Sequence, residues 1–201
     1  MRLPHIALLS LVAFAAPITA QTQLVRGDVD GIQHTAGQFV LKCSNIRLVS
    51  TTVNLQALHD LSRQNDIEFE MQVRDVSVGG QTILDVVSAT QIPEQFDMGN
   101  LRFNRSETWE VFAAPNSPAF VSVNVTSETS YLPVGPLGTW ILGLVPVAFQ
   151  GTTNALGRFQ FRYTMPTIPA LVGVSISAQA VVVEGGVISI TNPDCKEVRN
   201  D

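Results

Sequence analysis

Two histidines, His34 and His59, are the only side chains past residue 21 that titrate near neutral pH in ordinary surroundings. A Ser-His-Asp device needs such a base beside an activated hydroxyl, and the chain has no Gly-x-Ser-x-Gly elbow to present one. Its nearest approach, Gly173-Val174-Ser175-Ile176-Ser177, lacks the closing glycine and lies in mid-strand. His59 sits beside Asp60 on the polar face of a predicted helix, so no catalytic residue is expected. In Gly27-Asp28-Val29-Asp30-Gly31, the two aspartates would lie on one strand face about 7 Å apart. A hard cation wants more oxygens than these two supply. They read as solvated aspartates beside a turn, and neither a metal nor a cofactor is expected. Glu68 and Glu70 are a possible carboxylate pair. Alternation puts them on one face with Gln72 and Arg74, opposite Ile67, Phe69, Met71 and Val73. Glycoside hydrolysis needs two carboxyls across a bound sugar, one with a raised pKa. An exposed strand face would not provide it, and solvation is the expectation here.

The two cysteines, Cys43 and Cys195, lie 152 residues apart with no Cys-x-x-Cys spacing. Zinc binding therefore has no support. They are either a disulfide or two separately buried thiols, and the leader decides in favour of the bond. Arg2 is followed by an apolar stretch from Ile6 to Ala16, then Pro17 and a small residue at Ala20. This reads as a secretory signal peptide over residues 1–20, too short to act as a membrane anchor. Export to a secreted or periplasmic location favours a disulfide. Asn104-Arg105-Ser106 and Asn124-Val125-Thr126 match the glycosylation pattern and are given no functional weight.

Without Arg2, one of the chain's 12 basic residues, 17 acidic side chains face 11 basic ones, a net charge of −6. Residues 21–92 carry 5 basic and 8 acidic groups, and residues 93–201 carry 6 and 9. Neither half holds a basic cluster, which argues against nucleic acid as a partner. The most apolar later segment, Leu171 to Val183, is interrupted at Ser175, Ser177 and Gln179, a strand periodicity and not a membrane span.

The elements that must position these groups are mostly strands. Residues 24–90 show five short strands, with a helix predicted over 53–63 between the third and fourth, where Leu55, Leu58 and Leu61 recur at helical spacing. Gly27 is placed to bend the long first strand. This order resembles an OB-fold, an implied barrel over 22–92 with the small helix plugging one end. Pro93 marks a connector. Beyond it, eight candidate strands separated by Pro, Asn and Gly turns predict a β-sandwich over 93–201. The fold class is thus all-β, an OB-like five-stranded barrel followed by a β-sandwich.

Within that second stretch, Gly157-Arg158-Phe159-Gln160-Phe161, Met165-Pro166 through Leu171-Val172-Gly173, Ala178-Gln179-Ala180 and Asn192 follow one another in order. Residues 138–192 resemble the C-terminal β segment of exported bacterial proteins of unknown function. The resemblance implies architecture and export, and assigns no catalytic residue.

Two functions remain: a non-catalytic exported module, structural or binding, and a secreted hydrolase acting on glycans or esters. The missing nucleophile, base and metal patterns favour the first. OB-type barrels take elongated ligands across the second and third strands. Here that face would draw on Gln38, Arg47 and Ser50, with Arg26 or Asp28 from the first strand. Phe39 is its only aromatic, which suits a glycan or an envelope or extracellular protein edge better than single-stranded DNA.

Overall fold

The computed structural model describes residues 22–32, 36–64 and 67–200. The leader expected over 1–20 and His34 lie outside the described residues. The first sheet is built from β1 (Gln23–Gly27), β2 (Val29–Gly31), β3 (Phe39–Leu41), β4 (Arg47–Val49), β5 (Ile67–Asp75) and β6 (Ile83–Pro93), in the order β1-β5-β6-β4-β3-β2. The two edges, β1 and β2, are halves of one bent strand, so the sheet curls round into a barrel. Its single parallel pairing is β4 with β6. The predicted helix is α1 (Leu55–Gln64). Asn54 caps it: its Oδ1 accepts the Ala57 N–H at 3.1 Å. Leu55 is buried against the barrel, Leu58 is half-buried and Leu61 is exposed, so the helix covers the barrel end with its first turns.

Gly27 makes the bend possible. Its φ is +146°, and a Cβ there would lie 3.0 Å from Leu41 Cδ1 and 3.3 Å from Pro193 Cδ. Gly27→Ala therefore combines backbone strain with overpacking, and we expect a loss of about 2–4 kcal/mol in urea unfolding. Gly79→Ala is the control. Its φ is +65° with open space around it, so only the conformational cost of about 1 kcal/mol applies. Equal losses at the two sites would remove the packing argument at Gly27.

The second stretch forms two packed sheets. One has the order β13-β10-β15-β16-β8, from β8 (Leu101–Arg102), β10 (Pro118–Val125), β13 (Val147–Thr152), β15 (Ser175–Glu184) and β16 (Val187–Arg199). The other is β14-β9-β7, from β7 (Phe96–Asp97), β9 (Ser106–Phe112) and β14 (Arg158–Thr164). A two-stranded ribbon, β11 (Leu132–Pro133) with β12 (Thr139–Trp140), lies outside them. Alternation sorts β15 cleanly. Ala178, Ala180 and Val182 join Trp109, Phe96, Val121 and Val198 in the sandwich core. Ser177 and Gln179 point the other way and are equally buried.

That opposite face of β15 is where the barrel sits. Gln179 Nε2 donates to Thr139 O at 3.0 Å and Thr191 O at 2.9 Å, while its Oε1 accepts Ile141 N–H at 3.0 Å. Gln179 thus clamps the segment that carries Ile141 and Leu142 into the barrel's own apolar core. Thr139 Oγ1 donates to Leu24 O, and Arg26 Nη1 to Ile190 O. Cys43 and Cys195 form a disulfide, with Cα atoms 5.4 Å apart, and Ser177 Oγ donates to Cys43 O beside it.

Candidate functional site

The barrel face carries a cleft of about 360 Å³ between the β3–β4 ladder and the start of α1. Gln38 and Arg47 both line it, with Ser50, Asn54 and Gln56 adding hydroxyl and amide groups. Phe39, Leu48, Val53 and Leu55 provide an apolar wall. Register explains part of the arrangement: Val40 pairs with Arg47 and Phe39 with Leu48, so the β3–β4 hairpin supplies polar and apolar sides together. Arg47 takes part in no ion pair among the described residues, and its Nε is buried without an acceptor. Ser50 is partly committed, donating to Val86 O at 2.6 Å and accepting from Val53 N at 2.8 Å. The remaining candidate, Arg26, lies elsewhere. Its Nε and Nη2 grip Glu70 Oε2 at 3.0 and 2.9 Å across the β1–β5 ladder.

Of the four acidic residues expected to be solvated, Asp30 is exposed and Glu70 half-buried. Asp28 is 7% exposed and Glu68 only 3%, so the expectation is corrected for these two. Strand alternation put Glu68 on the right face, but β16 covers that face at this end. Asn192 Nδ2 donates to Glu68 Oε1 at 3.1 Å and to Phe96 O at 2.9 Å, and its Oδ1 accepts from Gln95 N and Phe96 N. Asp194 receives Met98 N–H and Lys196 Nζ on Oδ2. Asp28 is paired with Lys42 at 2.8 Å. Asp28 sits at the break between β1 and β2 and is buried, whereas Asp30 within β2 stays at the surface with its Oδ1 on Gly31 N.

Burial, with Asp28 close by, pushes the Glu68 carboxyl up to about 9, against the opposing pull of Lys42. Burial likewise raises Asp28, again opposed by Lys42. Lys42 is held above its usual range: burial works against its charge, and contact with Asp28 outweighs burial. A raised carboxyl beside a second carboxyl has the character of a general acid. Glu68, however, is sealed between barrel and sandwich, with its Oε1 taken by Asn192. His59 is similarly occupied, its Nδ1 3.0 Å from Val29 O, which fixes the proton on that nitrogen. Among the described residues no group of three or more His, Cys, Asp or Glu side chains is arranged to hold a metal. No helix among them is long and apolar enough to cross a membrane.

Fold and site together describe an all-β protein of two packed β units, joined covalently and by a buried polar seam. The chain matches no family model, no curated protein and no solved structure.

Proposed function

We propose that this is an exported, non-catalytic binding module of the bacterial envelope or extracellular space. Its ligand is an extended polar one, a glycan chain or the edge of another envelope or extracellular protein, taken in the barrel cleft. The observation that carries this reading is the convergence of Gln38 and Arg47 on one cleft with an apolar wall. Sugars present both hydroxyls and apolar ring faces, and that combination of amide, guanidinium and aliphatic surface meets both. The disulfide suits an oxidising compartment. A hydrolase reading is less well supported, because the one carboxyl with a raised pKa is enclosed in the seam and the histidine on α1 is engaged by backbone.

A glycan array and a pull-down with the mature chain test the proposal directly. Arg47→Ala and Gln38→Ala are expected to weaken the captured ligand at least tenfold with an unchanged melting temperature, since each removes a charged or polar hydrogen bond of about 1.4–3 kcal/mol. Arg26→Ala should instead lower stability. No measurable affinity for single-stranded DNA is expected at physiological salt, because the barrel half is acidic and its β3–β4 face offers a single aromatic, Phe39. Tight, salt-sensitive DNA binding, or glycan and protein binding indifferent to Arg47, would overturn the assignment.

A further inference from the structure

The barrel covers the outer face of the five-stranded sheet at the Ser177–Gln179 end of β15. Further along the same face, register sets Phe120 beside Val181 and Val181 beside Ile190. That is an apolar row where an uncovered sheet would alternate to polar residues. The row floors an open groove of about 380 Å³, with Leu132 and Trp140 of the β11–β12 ribbon and Val147 of β13 among its walls. Among the described residues no charged side chain lines it, and it shares none of them with the barrel cleft.

Leu144 stands at the rim of the groove and is 99% exposed. Its turn is pinned by hydrogen bonds. Trp140 Nε1 donates to Gly143 O at 2.6 Å, the Val145 N–H donates to the same oxygen at 3.1 Å, and Asn124 Nδ2 donates to Leu142 O at 2.8 Å. A single exposed leucine is ordinary, but one displayed on a fixed turn loses little further freedom when it is covered. Leu132, Val147 and Ile188 are exposed around it. With the half-buried side chains between them, the patch presents roughly 600–700 Å² of apolar surface, more than a monomer usually leaves contiguous.

We propose that this face is the contact between two copies of the chain, related by a two-fold axis that sets Leu144 of each copy in the groove of the other. A two-fold contact requires one patch to carry both halves of the fit, and here knob and groove adjoin. Closing two such patches buries roughly 1,200–1,400 Å² in total, the lower part of the range of specific interfaces. Past residue 20 the chain carries 17 acidic side chains against 11 basic ones. An anionic lipid surface would repel it, and two copies meet most readily across a face without charge.

Sedimentation equilibrium of the mature chain over about 1–500 µM reads the mass. A dimer dissociating at about 10 µM is expected from an interface of this size. It should tighten about threefold between about 0.05 and 0.5 M NaCl, as repulsion between the acidic copies is screened. Leu144→Lys and Ile188→Asp should each weaken it at least about thirtyfold with an unchanged melting temperature. Mixing the two variants should restore dimers to within about fivefold of the original affinity. The mixed pair keeps one original contact, and in the other the new ammonium meets the new carboxylate. A monomer at every concentration overturns the proposal, as does a dimer indifferent to Leu144→Lys. Variants that stay monomeric when mixed overturn the placement of Leu144 in the partner's groove. Leu144-dependent binding of a monomer to phosphatidylglycerol vesicles assigns the face to a membrane instead.

Discussion

Glu68→Gln is expected to leave stability unchanged near pH 5 and to raise it by about 2–4 kcal/mol at pH 8. Two oxygens in the seam lack a hydrogen-bond donor, Glu68 Oε2 and Asp28 Oδ1, and the two carboxyls are within hydrogen-bonding reach of each other. One proton on Glu68 satisfies both. Folding therefore retains a proton that the unfolded chain, with an ordinary carboxyl near 4.5, releases. The sign follows directly. Stability from this group is complete below about 4.5 and declines as pH rises towards about 9, with a slope of at most about 1.4 kcal/mol per pH unit. Asp28, also raised, adds to the same trend, and the charges of Glu94 and Asp194 reinforce it, while Lys42 limits it by keeping positive charge nearby. Glutamine at position 68 presents an N–H towards Asp28 and a carbonyl towards Asn192 without the ionisation. Urea unfolding of both proteins at pH 5, 6, 7 and 8 reads the difference. Parallel pH profiles would mean that Glu68 is ionised in the fold, and that the shared proton does not exist.

Much of the architecture was legible because strands declare themselves by alternation and turns by composition. The helix was displaced by two residues at its start, since Asn54 caps it and Val53 belongs to the preceding turn. The full length of the final strand, Val187–Arg199, was not legible, because Asn192-Pro193 looks like a terminator. In the fold Pro193 sits in β16 beside a shift of register opposite Gln179, a position where a missing N–H is tolerated. The cleft on the barrel gathers Gln38, Arg47 and Ser50 because they lie on or directly beside the adjacent strands β3 and β4, and adjacency follows from the chain order. Arg26 was not separable in that way, since its pairing with Glu70 depends on the β1–β5 register. The seam was invisible for a different reason. Alternation says which face Glu68 occupies and nothing about what covers that face. A usable sign was nonetheless present: Gln179 and Asn192 are polar residues set beside apolar runs of sequence. They proved to hold the seam, Asn192 on Glu68 and Gln179 on the segment whose Ile141 enters the barrel core.

Reduction of the Cys43–Cys195 bond is expected to cost roughly 4–5 kcal/mol, the loop-closure entropy of a cross-link spanning 152 residues. For a chain of this length that corresponds to a fall in melting temperature of about 10 °C, a large share of the stability of an ordinary domain. Position matters as well as loop length. Cys43 lies in the turn after β3, and Cys195 in β16 is paired with Ser177 across the β15–β16 ladder. The bond thus closes the same seam that Asn192 and Gln179 hold by hydrogen bonds, so its loss should let barrel and sandwich melt less cooperatively. Cys43 also has a φ of +66°, a conformation costly for any residue but glycine. Cys43→Gly with Cys195→Ala should therefore be more stable than Cys43→Ala with Cys195→Ala by about 1 kcal/mol, although both lose the cross-link. Calorimetry of the oxidised protein, the reduced protein and the two double variants separates these contributions. An unchanged melting temperature on reduction would show that the buried seam alone joins the units. Equal stability of the two double variants would show instead that the turn at Cys43 relaxes once the bond is gone.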